Sequence, residues 1–250
     1  ILGKKPKKLV AVTGTNGKSS IADFFFQILN LNLKKAASIG TIGVRYKGKI
    51  KTLSNTTLDP IQLSSILKDL RKKKIEYIIM EASSHGLKQN RLDGLMFDVG
   101  IFTNLSHDHL DYHKNLEEYL NAKLYLFKNL IKNKGTVITD LNIPQFKKLR
   151  KLVIKKKLKL LTISDQGSDL ELISHEFRND QQILTIREKN KKKIIKLNLN
   201  LIGKIQIKNI LMAILAAIKS GLDMNSIAKS ITKLRSPEGR LEKIGKLKNN

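Results

Sequence analysis

The feature of this sequence that most restricts its fold is an apolar segment that leads directly into a glycine-rich turn. Residues 8–13 (KLVAVT) have the composition of a buried strand, and the next seven, GTNGKSS, form a turn and open a helical stretch that extends to about residue 31. A strand, such a turn and a helix make a cradle for phosphate, because backbone N–H groups and the helix dipole face the anion. Lys18 would add a positive charge and Ser19 could bind Mg²⁺. The usual motif has one more glycine, at the position of Val12.

Segments of strand and helix character alternate along most of the chain. Short apolar runs with polar borders, typical of buried parallel strands, lie at 75–80, 97–102, 135–139 and 157–163. Helical patterns cover 61–73 and 116–132. The alternation predicts an α/β fold with a mostly parallel, P-loop-type sheet flanked by helices.

The pattern changes near residue 170. Three alternating or β-branched stretches, separated by polar turns, lie at 170–177, 182–187 and 193–199. They predict a small antiparallel β meander within residues 170–199. Helical patterns then return at 205–220 and 224–233.

The composition limits the classes of function. The chain has 48 basic and 21 acidic residues, a formal net charge of +27, and eight of the basic residues are arginine. Specific nucleic-acid sites favour arginine and aromatic stacking, and aromatic residues are only 5% here with no tryptophan. The absence of cysteine excludes disulfides, thiolate metal sites and a cysteine nucleophile. No apolar run is long enough to cross a bilayer, so we expect a cytoplasmic protein that binds neither nucleic acid nor membrane.

The carboxylates concentrate in one part of the chain. Residues 81–121 contain seven acidic and three basic side chains, whereas the lysines gather at 4–8, 71–74, 147–157 and 189–193. Lysine runs of this kind are typical of solvated faces. The segments that carry candidate chemistry therefore lie in the acidic part of the chain.

Glu81 directly follows the apolar run 75–80, at the carboxyl end of a predicted strand. In open α/β sheets this edge faces the ligand crevice and is also the edge that carries the phosphate loop. A carboxylate there can bind Mg²⁺ directly or through water. Residues 102–113 (FTNLSHDHLDYH) follow the next strand and contain three of the five histidines. Histidine alternating with aspartate indicates metal binding or proton transfer.

Lys123 occupies an unusual position on the predicted helix 116–132. At about 100° per residue the apolar side chains of this helix form one stripe, and Lys123 falls close to its middle. Two interpretations remain open from the pattern alone: a lysine whose ammonium group extends to solvent, or a lysine directed into a site with its charge altered. Asn115, with Glu118 three positions later, predicts a capping box at the start of this helix.

Six segments, in this order, resemble motifs of the Mur ligase family: TGTNGKSS (13–20), SNTT (54–57), EASSHGLKQNR (81–91), FTNLSHDHLDYH (102–113), NAK (121–123) and PEGRLE (237–242). The SSHGL and DHLDYH sequences are similar to the MurE branch, which adds the third amino acid to the peptidoglycan precursor. The resemblance spans nearly the whole chain but covers only the central, ATP-binding domain of such enzymes.

The resemblance implies roles for individual residues. ATP would be bound by Gly14, Thr15, Asn16, Gly17, Lys18, Ser19, Ser20, Asn209 and Arg240. The UDP-MurNAc-dipeptide would be bound by Asn55, Thr56, Thr57, Ser83, Gln89 and Arg91. Metal ligands would be Ser19, Glu81, His109 and Lys123, the last as a carbamate, and the catalytic residues would be Lys18, Lys123 and His109. Two departures from the family pattern are Leu58, where a glycine is common, and residues 203–206 (GKIQ), which replace the usual aromatic residue or histidine followed by asparagine near the adenine side.

The resemblance also implies partners and domain boundaries. The cofactors would be ATP and Mg²⁺, and the partners UDP-MurNAc-dipeptide and a free amino acid, with diaminopimelate favoured over lysine. We expect residues 1–238 to form the central domain and 239–250 to begin the linker to a C-terminal domain. An N-terminal uridine-nucleotide domain is also expected outside this chain, which would be an inactive fragment alone, and a monomer. The alternatives are a folylpolyglutamate synthase-like ligase, a non-catalytic ATP-binding remnant and a basic nucleic-acid binder.

Overall fold

The computed structural model describes residues 6–108, 112–178, 181–189 and 193–241. The strands are β1 Lys8–Thr13, β2 Ala36–Gly40, β3 Gly43–Tyr46, β4 Lys49–Lys51, β5 Tyr77–Glu81, β6 Phe97–Phe102, β7 Ile131–Asp140, β8 Lys159–Ser164, β9 Leu170–Arg178, β10 Gln181–Glu188 and β11 Lys193–Leu199. The α-helices are α1 Lys18–Leu31, α2 Pro60–Lys72, α3 Ser84–Lys88, α4 Leu116–Tyr125, α5 Phe146–Lys155, α6 Ile205–Lys219 and α7 Met224–Ser230.

The described strands form one eleven-stranded sheet in the order β11-β10-β9-β8-β7-β6-β1-β5-β2-β3-β4. From β2 to β9 all neighbours are parallel, and antiparallel pairs occur at the two ends, β2-β3-β4 and β9-β10-β11. The predicted α/β fold with a mostly parallel sheet is therefore confirmed, and the meander at 170–199 is the antiparallel end of that same sheet.

Strand β1 lies at the centre of the sheet and is buried on both faces. Val10 and Val12 pack in the apolar core that contains α1 and α6, whereas Leu9 and Ala11 pack in the core that contains α2 and α4. This alternation follows from the two-residue period of a strand. Strand order reverses at β1, because the chain builds β2 and β5 on one side and β6 on the other. Crevices form at such reversals, outside the carboxyl ends of the strands.

The predicted helix at 116–132 is too long. Helix α4 ends at Tyr125, a π-helical turn follows over Leu126–Leu130, and Ile131 already begins β7, opposite Phe97 of β6. Apolar periodicity continues through this region because the π turn and the strand are both buried, so the pattern could not show where the helix ends. Strands β2–β4 and helices α3 and α5 were also not predicted.

The start of α4 differs in detail from the predicted capping box. The Asn115 side chain accepts the N–H of Glu118 at 2.8 Å, as predicted. The Glu118 carboxylate, however, accepts the N–H of Lys114 at 3.0 Å, one residue before the cap. The helix that carries Lys123 is thus capped by Asn115, with the reciprocal bond displaced by one residue.

Candidate active site

A cleft of about 630 Å³ lies at the carboxyl edge of the central strands. Sixteen of the eighteen predicted site residues line it: Thr15, Asn16, Gly17, Lys18, Ser19, Ser20, Asn55, Thr56, Thr57, Glu81, Ser83, Gln89, Arg91, Lys123, Asn209 and Arg240. Gly14 lies just behind them, with its carbonyl oxygen bonded to two lysines of the cleft. His109 lies outside the described residues. Segments distant in sequence are therefore brought to one cleft.

The glycine-rich turn has the geometry of an anion cradle. Gly14 and Gly17 have positive φ angles of 143° and 88°. A Cβ atom on Gly17 would overlap the side chain of Asn209, and one on Gly14 would overlap the Thr103 hydroxyl, so neither position has room for a side chain. Gly17 precedes α1 directly, and the first N–H groups of a helix have no acceptor within it. These N–H groups can therefore bind an anion in the cleft.

Lys18 lies over the turn. Its ammonium group donates to the carbonyl oxygens of Gly14 at 3.1 Å and Thr15 at 2.8 Å. Burial lowers the pKa of Lys18 from its ordinary value, and the negative charge of Glu81 opposes that effect. A cation held close to the helix N-terminus adds to the affinity of this region for phosphate.

Glu81 lies at the end of β5 and is 3% exposed. Its carboxylate accepts bonds from the Ser19 hydroxyl at 3.0 Å and from the Thr41 N–H at 2.8 Å. The side chain fits there because Gly40 has no Cβ, which would overlap the carboxylate. Burial raises the pKa of Glu81, and the bond from Thr41 partly opposes this. Thr41 was not predicted; its contact with Glu81 depends on the pairing of β2 with β5.

Lys123 is 1% exposed and reaches the cleft from α4. Its Nζ donates to the Gly14 carbonyl oxygen at 2.8 Å and lies 4.2 Å from the centre of the Tyr119 ring. Burial, with a smaller effect of the Lys18 charge, lowers the pKa of Lys123 from 10.5 to about 6. Of the two interpretations left open by the sequence, the buried lysine directed into the site is the one observed.

The opposite wall of the cleft comes from the loop before α2 and from α3. The Thr57 hydroxyl donates to the Glu81 carbonyl oxygen at 3.0 Å and accepts the N–H of Ser83 at 2.9 Å. The Arg91 guanidinium donates to the Thr57 carbonyl oxygen at 2.7 Å and, through Nε, to Gln89 at 2.8 Å. Four of the six residues predicted to bind one substrate are thus joined by hydrogen bonds to each other and to the strand that carries Glu81.

The third wall comes from α6 and the last described segment. Asn209 donates to the Gln206 side chain at 3.0 Å, and Gln206 donates to the carbonyl oxygen of Arg240 at 3.3 Å. Gln206, the last residue of the stretch 203–206 that departs from the family pattern, therefore connects two residues predicted to bind ATP. Arg240 is exposed, and its charge lowers the pKa of Lys18.

A group of rings lies beside the cleft. The His85 ring stacks on Tyr112 with 3.9 Å between centres, and His113 is fully buried 5.0 Å from Tyr112 and Tyr119. Neither ring nitrogen of His113 has a hydrogen-bond partner among the described residues, and burial lowers the pKa of this ring. Within 102–108 and 112–113, the described part of that segment, His113 is thus a ring packed between other rings, and its burial favours the neutral form.

The oxygen atoms of the cleft fit a hard divalent cation. The hydroxyl of Ser19 and the carboxylate of Glu81 are adjacent oxygen donors beside the phosphate cradle, the ligand type that Mg²⁺ prefers. Within the described ranges there is no group of three or more His, Cys, Asp or Glu side chains arranged around a metal site. In the same ranges no helix has the length and apolar character needed to cross a bilayer.

Comparisons with known proteins agree with this geometry. A family model described as Mur ligase middle domain matches residues 12–217. The UDP-N-acetylmuramoyl-L-alanyl-D-glutamate–2,6-diaminopimelate ligases of Rickettsia conorii and Zymomonas mobilis are each 38% identical, over 96% and 98% of this chain. The chain spans about half the length of these relatives, 50% in each case. A solved structure of a ligase with the same name has a TM-score of 0.86 and 29% identity, and covers 94% of this chain and 48% of that one.

The matched region contains the phosphate loop, Glu81, Lys123 and Asn209, which converge on the cleft. The resemblance predicted from the six motifs is thereby confirmed over most of the described structure. From its sequence, its fold and these matches, the chain belongs to the Mur ligase family and contains the family's middle domain.

Proposed function

We propose that this chain is the ATP-binding domain of a MurE-type ligase, which joins diaminopimelate to UDP-MurNAc-L-Ala-D-Glu in peptidoglycan precursor synthesis in the cytoplasm. The observation that supports it most strongly is one cleft in which the phosphate loop, the Glu81 cluster and the Thr57–Arg91 wall meet. Its volume of about 630 Å³ is within the range of small-molecule sites. The named ligases at 38% identity support the choice of substrates.

The phosphate loop would bind ATP through the free N–H groups at the start of α1. Lys18 is already directed at the loop, and a phosphate chain would replace the carbonyl oxygens of Gly14 and Thr15 as its acceptors. Asn209 and Arg240 line the cleft on the side of α6, where the nucleoside would lie. Donors fixed in advance around the phosphates stabilise the charge of the transferring group without reorganising.

Ser19 and Glu81 would hold Mg²⁺, with His109 and a carbamate on Lys123 as the further ligands. When bound, the metal would neutralise negative charge on the transferring phosphoryl group. Carbamate formation requires a neutral amine, and a pKa of about 6 leaves Lys123 largely neutral at pH 7. The amine would attack CO₂ and lose one proton to solvent, which gives a group with one negative charge beside Lys18.

The second substrate would lie along the wall formed by Asn55, Thr56, Thr57, Ser83, Gln89 and Arg91. Its D-glutamate carboxylate attacks the γ-phosphorus of ATP, which gives an acyl phosphate and ADP. The amine of diaminopimelate then attacks the acyl carbon, and phosphate leaves with formation of the amide bond. Arg91 is held by Thr57 and Gln89 with its charge near this wall, as required to orient an anionic substrate.

The test uses the full-length protein that contains this chain. ADP formation from MgATP should require both UDP-MurNAc-L-Ala-D-Glu and diaminopimelate, and Lys18→Ala should abolish it. Lys151→Ala, an exposed lysine of α5, is the matched control and should keep full activity. Activity of Lys123→Ala should be partly restored by added short-chain carboxylic acids, which replace the carbamate. Retained activity in Lys18→Ala, or turnover of a folate and glutamate instead, would contradict the proposal, whereas ATP binding without any turnover would support a non-catalytic remnant.

A further inference from the structure

Asn104 lies behind the phosphate loop and bonds to it three times. Its carbonyl oxygen accepts the N–H of Thr15 at 3.0 Å, and its side-chain oxygen accepts the N–H of Asn16 at 3.0 Å. Its side-chain nitrogen donates to the Asn16 carbonyl oxygen at 3.3 Å. The side chain of Asn104 thus pairs with both polar groups of the Asn16 backbone, as a neighbouring strand would.

Neighbours of Asn104 reinforce this attachment. The Thr103 hydroxyl donates to the same Asn16 carbonyl oxygen at 2.7 Å, and the N–H of Ser106 donates to the Thr15 hydroxyl at 3.0 Å. Thr103 can lie this close because Gly14 has no Cβ. The segment that follows β6 therefore fixes the loop at Thr15 and Asn16, the residues just before the turn into α1.

The attachment determines which N–H groups remain for an anion. The N–H groups of Thr15 and Asn16 are used by Asn104, so they cannot turn towards the cleft while these bonds exist. The N–H groups at the start of α1, beginning with Lys18, have no helical acceptor. Holding the two preceding peptides in place fixes the direction in which these later groups point, and fixed donors bind better than donors that must be ordered on binding.

We propose that Asn104 is a positioning residue of the phosphate site, which orients the loop for the β- and γ-phosphates without contacting the nucleotide. Asn104 is half-buried and is not one of the described residues that line the cleft. The proposal rests on the proposed ATP-binding function. The segment TNLS (103–106) would then position the phosphate loop, a role separate from that of the histidines and aspartates that follow it in the sequence.

The test measures the affinity of this chain for ATP and for AMP, in competition with a fluorescent ATP analogue. Asn104→Ala should weaken ATP binding at least tenfold, which corresponds to about 1.4 kcal/mol, and should change AMP binding less than threefold. Thr103→Val, which removes only the Thr103 bond to Asn16, should show the same preference with a smaller loss. Asn142→Ala, an exposed asparagine after β7, is the matched control and should bind both nucleotides normally.

Four results would overturn the proposal. Normal ATP affinity of Asn104→Ala would show that the loop does not depend on this residue. Equal losses for ATP and AMP, with a lower melting temperature, would show that Asn104 serves the fold and not the phosphates. Failure of the unsubstituted chain to bind ATP, or equal binding by Lys18→Ala, would overturn the ATP-binding function and this proposal with it.

Discussion

Helix α1 carries two buried polar clusters that differ in how their charges are paired. At its start, Lys18 and Ser19 face the cleft together with Glu81 and Lys123. Five residues further on, Asp23 is 1% exposed, and its carboxylate pairs with Arg45 and accepts a bond from Gln27 at 2.6 Å. Among the described residues the lysines of the first cluster have no ion-pair partner, whereas the carboxylate of the second is paired with Arg45.

The two clusters differ in whether their buried charges have an opposite charge as partner. This difference distinguishes a binding site from a cluster that stabilises the fold. Within the part of the chain that the structure describes, Lys18 and Lys123 form no ion pair, and both donate to the Gly14 carbonyl oxygen. Burying a charge without an opposite charge lowers stability, whereas a buried pair that loses one member leaves the other uncompensated. We therefore expect substitutions in the cleft cluster to change ligand binding, and substitutions in the Asp23–Arg45 cluster to change stability.

The largest effect on stability is expected from Arg45→Met. The change keeps an apolar side chain near the Phe26 ring, which the guanidinium contacts at 4.9 Å, but leaves the buried Asp23 carboxylate without its cation. Loss of one partner of a buried pair costs about 3 kcal/mol or more. Urea unfolding should show this loss, while Arg150→Met, an exposed arginine of α5, should change stability by less than about 0.5 kcal/mol. If Arg45→Met left the free energy of unfolding unchanged, the Asp23–Arg45 cluster would not be the stabilising element that distinguishes it from the cleft cluster.

Lys123→Met should remove a dependence of stability on pH. The pKa of Lys123 is about 6 in the folded chain against an ordinary 10.5, so between these values the unfolded chain binds a proton that the folded chain does not. The free energy of unfolding should therefore rise with pH across this window, by up to about 1.4 kcal/mol per pH unit. The measurement is urea unfolding from pH 6 to 9 in CO₂-free buffer.

The difference between the unsubstituted chain and Lys123→Met isolates the contribution of this lysine, because both proteins keep Lys18 and the same surface charge. Lys128→Met, a substitution at an exposed position just beyond α4, is the control and should leave the slope unchanged. Parallel pH profiles for all three proteins would mean that Lys123 is charged in the folded chain.

A smaller effect, about tenfold in affinity, is expected from Glu81→Gln and should depend on the metal. The substitution keeps a side-chain oxygen that can accept the Thr41 N–H but removes the negative charge beside Ser19. ATP should bind about tenfold more weakly in the presence of Mg²⁺, and equally well or more tightly in EDTA, because a charge that repels phosphate is gone. Equal losses with and without Mg²⁺ would argue against a metal-binding role and for a structural one.

The parts of the site that could be predicted from sequence are those in which a residue with a clear chemical role directly follows a predicted strand. The phosphate loop was predicted because a strand, glycines and Lys-Ser adjoin in sequence. Glu81 was predicted because it terminates an apolar run at the edge that carries the loop. Lys123 could be assigned to a buried face by helical periodicity alone, but its direction into the cleft was taken from the family resemblance.

The parts that could not be predicted depend on contacts between distant segments. Thr41 reaches Glu81 only because β2 pairs with β5 in a register that places Ile39 opposite Met80. Asn104 reaches the loop because β6 lies beside β1. Neither strand pairing can be derived from the local hydrophobic periodicity of the sequence. Helix α5 was not recognised because it lies in a run of lysines and only its Leu149 and Val153 are buried, so its apolar pattern is weak.

If the lysines at the start of α1, which form no ion pair among the described residues, serve to bind the phosphates of ATP, then binding of ATP should depend on Lys18 and not on Arg45. Calorimetric titration of MgATP into the chain, into Lys18→Ala and into Arg45→Met tests it most directly. Lys18→Ala should bind MgATP about a hundredfold more weakly, the loss of roughly 2.8 kcal/mol expected for charge-assisted bonds to phosphate, while Arg45→Met should bind normally at a temperature where it is folded. Normal binding by Lys18→Ala, or an equal loss in folded Arg45→Met, would contradict it.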